Sequence, residues 1–323
     1  MHPVKGLGHV GSLLLSAVPL MAATLSPECD AANREAIVLL QQGRIAEAEA
    51  QLSPFVSTMT GTQDNSVCTG VTLGNMAYML EKLGKRAAAE HAGNRSVKAL
   101  EEALGPDSPA LCRPLLLLAR LRLEEGRVSK AAGLLSRIES LPIQAHDDLA
   151  FVKGLKAVLL EKEKDFQGAA AAYRESIAEQ EGAGGGASPD IVPDLANLGM
   201  LYLKEGRTIE AVSMLERAWR IVELHCCDAS SRVRTSLALA VAHTKHRNLE
   251  KAESYFRQAM VHFDSLPPIL RQLDGRAVYC EYATFLRISG RKREAKTVEE
   301  RASALFGPDT SGMVVGVDSL LQK

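Results

Sequence analysis

The sequence predicts an all-α fold, a solenoid of about seven helical hairpins, and three observations carry that prediction. First, one alanine recurs five residues after a turn, at Ala48, Ala89, Ala131, Ala169, Ala211, Ala252 and Ala295, at intervals of 41, 42, 38, 42, 41 and 43 residues. A sustained period of this length is the mark of a solenoid. Second, twelve residues before each of these anchors stands a small residue: Ala36, Ala77, Ala119, Ala157, Gly199, Ala240 and Ala283. Two packed helices need such a slot where one backbone approaches the other. Third, a turn separates the two positions, written Gly43-Arg44, Gly84-Lys85, Gly126-Arg127, Gly206-Arg207 and Gly290-Arg291. Glycine there supplies the left-handed residue that ends a helix. The fourth and sixth copies carry Lys164-Asp165 and Arg247-Asn248 instead, which are weaker signals.

Apolar spacing assigns a helix to each side of the turn. In the fifth copy Leu195, Leu198, Leu201 and Tyr202 form one stripe before it, and Ile209, Val212, Leu215, Ala218 and Trp219 form another after it. Such a hairpin buries its apolar faces only when neighbours stack on it. Turns are therefore expected near residues 43, 84, 126, 164, 206, 247 and 290. The glycine run at 182–186 reads as a surface loop, with a hinge as the other reading. Residues 311–323 break the helical pattern and read as a short irregular or strand-like tail that caps the last repeat.

The small-residue and alanine pattern resembles the tetratricopeptide repeat. The repeat is longer than that family's unit of about 34 residues, and the usual proline after the second helix is absent. Both departures imply longer helices, and the repeats are similar to those of kinesin light chains. LGPDSP at 104–109, SPD at 188–190 and FGPDT at 306–310 stand where those repeats end in glycine-proline-aspartate. The resemblance covers residues 28–310 and implies a right-handed solenoid whose first helices line a concave groove.

The amino terminus differs from the rest. Lys5 precedes an 11-residue apolar run, Val10 to Leu20, followed by Ala22, Ala23 and Thr24. That order predicts a signal peptide over residues 1–23 and a periplasmic or secreted location. The alternative is a cytoplasmic chain, or one anchored by residues 10–25. No later segment is apolar enough over sufficient length to span a bilayer.

Acidic and basic residues nearly cancel, 39 against 38, so there is no basic footprint for nucleic acid. No catalytic motif is present, no cofactor or metal is implied, and no feature specifies an oligomeric state. His225-Cys226-Cys227-Asp228 is the one dense set of ligand types, and it reads chiefly as a loop. His243 and His246 read as a solvated pair at a helix end. Cys29, Cys68 and Cys112 fall near the starts of successive first helices. One pair bridges if the helix ends converge; free thiols are the other reading.

The resemblance implies a protein or peptide partner, bound in the groove without catalysis. The asparagine fourteen residues before the anchor resembles the one with which light chains hold a peptide backbone. Asn75 and Asn197 match it, whereas Arg34, Leu117, Leu155, Ala238 and Glu281 occupy that slot in the other copies. Tyr78, Arg113, Arg120, Met200 and Arg234 are expected on the same face, where arginines suit a carboxylate. A ligand-responsive regulator is the alternative function, and a thiol or metal protein using residues 225–228 a further one.

Overall fold

The computed structural model describes residues 27–41, 44–57, 67–184, 186–225, 229–266 and 268–307. These hold fourteen helices and no strand. The predicted signal peptide and the carboxy-terminal tail lie outside them.

The helices pair as seven hairpins. They are α1 (Pro27–Gln41) with α2 (Ile45–Ser57), α3 (Val67–Lys82) with α4 (Arg86–Leu104), α5 (Cys112–Glu124) with α6 (Val128–Glu139), and α7 (His146–Lys162) with α8 (Phe166–Gly184). Then follow α9 (Val192–Lys204) with α10 (Thr208–Leu224), α11 (Ala229–Lys245) with α12 (Leu249–Asp264), and α13 (Pro268–Ile288) with α14 (Lys292–Phe306). By their contacts they form two compact units, divided after Glu179.

Every turn has the same chemistry. The amide of residue 85 donates to the carbonyl of Leu80, five residues back, and Arg44, Arg127, Asp165, Arg207, Asn248 and Arg291 do the same to Leu39, Arg122, Leu160, Tyr202, His243 and Leu286, all at 2.8–2.9 Å. This bond requires a left-handed residue just before it. Gly84, Gly126, Gly206 and Gly290 take that conformation, with φ of 72°, 74°, 77° and 78°. Lys164 and Arg247 take it too, at 67° and 61°, so the two copies without glycine turn in the same way despite the strain on their Cβ atoms.

The recurring alanine has a physical meaning. Its amide donates to the carbonyl four residues back, from Ala48 to Arg44 through Ala295 to Arg291, at 2.9–3.1 Å, closing the first turn of each second helix. All seven anchors are buried, and so are all seven small residues of the first helices. At Gly199 the approach leaves no room for a side chain. A Cβ there would lie 2.7 Å from Leu215 Cγ and 3.3 Å from the carbonyl oxygen of the anchor Ala211.

Polar groups reinforce the stack at matching places. Ser96 and Ser176, each seven residues after an anchor, donate to the carbonyls of Gly70 and Ala150 at 2.7 Å. Arg137, Arg217 and Arg301, each six after an anchor, pair with Glu101, Glu181 and Asp264 at the end of the preceding second helix. Arg217 also donates to the carbonyl of Gly186 at 3.1 Å. The glycine run at 182–186 is consequently not all loop. Its first residues complete the last turn of α8, beside the Glu181 carboxylate that Arg217 holds. The Ser-Pro pairs serve as entries to first helices. Ser108 and Ser188 accept from the amides of Ala110 and Asp190, and Pro109 and Pro189 open short 3-10 turns that lead into α5 and α9.

Candidate functional site

The unit over residues 27–179 holds four of the seven residues expected in the groove, and each turns toward a different neighbour. Asn75 is buried and donates from its amide to Asn33 Oδ1 of α1 at 2.8 Å. Asn33 in turn donates to Thr72 Oγ1 at 3.0 Å and to the carbonyl oxygen of Cys29 at 2.8 Å. Beside this network Cys29 and Cys68 form a disulfide, their Cα atoms 6.2 Å apart. The first-helix starts do converge there, which settles the pairing that spacing left open. Cys112 at the start of α5 is a buried free thiol, and burial pushes its pKa up.

Arg120 of α5 points back to α3, where Glu81 receives it at 2.8 Å. Tyr78 lies one turn away on α3, nearly buried, with the Lys82 ammonium 4.9 Å from its ring centroid. Arg113, two turns earlier on α5, points forward to α7 and donates to Asp148 Oδ1 at 2.7 Å. Both guanidinium groups are less than a tenth exposed. The expectation that they stand ready for a partner's carboxylate meets a plain finding: this chain supplies a carboxylate to each. Tyr78 and Arg120 come together, whereas Asn75 and Arg113 belong to separate cross-repeat contacts.

Residues Asn197, Met200 and Arg234 lie in the second unit. Asn197 on α9 is buried to 9% exposure, while Met200 on α9 and Arg234 on α11 are partly exposed. In the same register slot as Asn197, α13 carries Glu281. Its Oε2 has no hydrogen-bond partner among the described residues, and burial pushes its pKa up to about 7. His243 differs from the solvated reading. It is 2% exposed, although His246 is exposed. His243 lies one turn before the hairpin's bend, on the stripe that α12 covers, so the helical period buries it. His225 caps the end of α10, and Cys226 to Asp228 lie outside the described residues. Among the described residues no three His, Cys, Asp or Glu side chains gather as a metal site, and no helix is long and apolar enough to cross a membrane.

Sequence reading missed Asn33, Glu81 and Asp148, the partners that give the buried polar residues their role. The signal for them was in the period. Asn33 precedes Asn75 by 42 residues, Glu81 precedes Arg120 by 39, and Arg113 precedes Asp148 by 35. Each spacing is near one repeat.

A family model described as tetratricopeptide repeat matches residues 69–110 and 195–225. No curated protein matches the chain in sequence. Solved structures share the fold. BtubC (BKLC) from P. vanneervenii is 19% identical with a TM-score of 0.55, over 69% of this chain and 90% of that one. The apo form of RapI is 9% identical with a TM-score of 0.61, over 86% and 97%. Aspartyl phosphate phosphatase F from Bacillus subtilis is 10% identical with a TM-score of 0.52, over 87% and 94%. The seven hairpins share one turn bond and one alanine register, and two stretches of them, residues 69–110 and 195–225, match the tetratricopeptide repeat.

Proposed function

We propose that the chain is a non-catalytic scaffold that takes a partner protein's peptide or helix along its first helices, and that it works outside the cytoplasm. The observation that carries the binding reading is the repeat itself. It sets successive first helices side by side at one register, which is how a solenoid presents an extended surface to a chain. Of the groove residues expected in the second unit, Met200 and Arg234 are the partly exposed ones, so they are the residues to test. Arg120 and Glu81, and Arg113 and Asp148, hold the repeats in line behind such a surface.

Export is supported by the Cys29–Cys68 disulfide as well as by the leader, because structural disulfides persist in oxidising compartments. Sequencing the amino terminus of the protein purified from its host tests this. A start near Thr24 is the expected result, and an intact Met1 or His2 on cytosolic protein ends the reading.

For binding, the partner is first identified by capture from envelope and cytosolic fractions, then titrated against the pure chain. Met200→Ala with Arg234→Ala is expected to weaken binding about tenfold to a hundredfold, since a charge-assisted hydrogen bond contributes about 1.5–3 kcal/mol. Helicity and melting temperature should not move. Equal affinity in the double variant, with the fold intact, rejects the first-helix surface of this unit.

A further inference from the structure

One group of rings in the second unit has no part in the surface just described. His243 of α11 stacks on Tyr255 of α12, the rings parallel with centroids 5.5 Å apart. Tyr255 meets Trp219 of α10 edge-on at 6.0 Å, and Trp219 meets His262 of α12 at 6.1 Å. The four rings form a row with an imidazole at each end, and the row joins α10, α11 and α12. Neither nitrogen of His243 has a hydrogen-bond partner among the described residues. A neutral imidazole always carries one N–H, so this side chain is buried with a donor unmet. Such a group is costly to bury, and a charged one costs far more.

We propose that this row is an acid-sensitive latch, which holds the fifth hairpin against the sixth while both imidazoles are neutral and loosens when they take up protons.

The charges around His243 are set against its protonation. Among the described residues Glu216 of α10 is the carboxylate that faces it, and its Oε1 stands 3.8 Å from Nε2, beyond a hydrogen bond. Lys251 of α12 already occupies the same oxygen at 3.5 Å. His246 of α11 adds a further repulsion, and Tyr255 offers only its ring face. Burial, then Lys251, hold the His243 pKa below its usual value, with Glu216 opposing. Burial, then Arg232 of α11, lower that of His262. The sign follows directly. The unfolded imidazoles bind protons below about pH 6.5 while the folded ones do not, so stability falls as pH drops from there toward the folded values. Each histidine can shift the opening equilibrium by up to about tenfold per pH unit in that window. Glu281 acts the other way. Its raised pKa favours the folded state at low pH and loses that contribution as pH rises through about 7. The test is therefore a difference between variants.

Trp219 is the sole tryptophan and sits inside the row, so its fluorescence reports the latch. Denaturant unfolding of the full chain, followed by this signal, is compared between wild type and His243→Phe/His262→Phe from about pH 7.5 to 5.5. Phenylalanine keeps the rings and removes the protons. Relative to the variant, wild type is expected to lose stability on acidification, with an opening constant rising about tenfold or more over that range. An identical pH profile in the two chains, or wild type gaining stability as pH falls, overturns the latch. Should the variant not fold, NMR titration of the wild-type imidazole carbons decides instead. A folded-state pKa for His243 below the usual value supports the latch, and one at or above it overturns the proposal.

Discussion

At the scale of single residues, what a side chain does here depends on the element one repeat away. Arg120 has the composition of a binding residue and the surroundings of a structural one, because Glu81 receives it in a nearly dry space between α3 and α5. Removing one partner of a buried pair leaves a charge uncompensated, at about 3–5 kcal/mol. Arg120→Ala should therefore lower the unfolding free energy by that amount. Replacing both Arg120 and Glu81 by methionine should cost much less, and chemical unfolding of the two variants checks the contrast. The turns give a second test. A Cβ added at Gly126 would meet nothing within 4 Å, so Gly126→Ala adds only backbone strain, about 1 kcal/mol. Lys164 already bears that strain at φ 67°. Lys164→Gly should raise stability by up to about 1 kcal/mol, the gain reduced by the greater freedom of glycine in the unfolded chain. Thermal melts that move the same way in both variants would refute this account of the turns.

At the scale of elements, the helices and turns were legible and most of their polar connections were not. All seven turns stand where the register puts them, including those at Lys164 and Arg247, because the alanine and small-residue slots are each read seven times and packing enforces both. The exit of α8 was less legible. Gly182 suggests a loop, yet a helix can run on through glycine when its end is held, as Arg217 holds Glu181. The burial of His243 was hidden for a related reason: its letters read as polar, while the helical period places it under α12. The disulfide belongs to this scale too. It ties the start of α1 to the start of α3 across a sequence separation of 39, and a bridge of that kind contributes about 2–4 kcal/mol. Reduction should lower the stability of wild type by that amount and leave Cys29→Ser unaffected. A reductant effect of equal size in both would show that the bridge contributes nothing.

At the scale of the whole molecule, each unit is a stack in which a hairpin contacts its neighbours, so stability is close to a sum of local terms. Ala119 on α5 and Ala240 on α11 fill equivalent slots in different units. Ala119→Leu and Ala240→Leu should each cost about 1–3 kcal/mol by overpacking. In the double variant the two costs should add to within about 0.5 kcal/mol. A coupling well beyond that, measured by chemical denaturation, would mean that the two slots are not independent and that nearest-neighbour stacking does not describe the chain.

The sequence alone determined the number of hairpins, their order and the position of every turn. Those features depend on local conformation and on a size limit at one slot per helix, and a period repeats both until they stand out from chance. The tertiary structure decided which polar residues are spent inside the molecule. Asn75 reaches Asn33, Arg120 reaches Glu81, Arg113 reaches Asp148, and Cys29 chooses Cys68 over Cys112. Each choice depends on how far neighbouring helix ends converge and on which side of the stripe a side chain faces. Angles and distances between stacked helices set both, and these belong to the assembled array rather than to any one repeat.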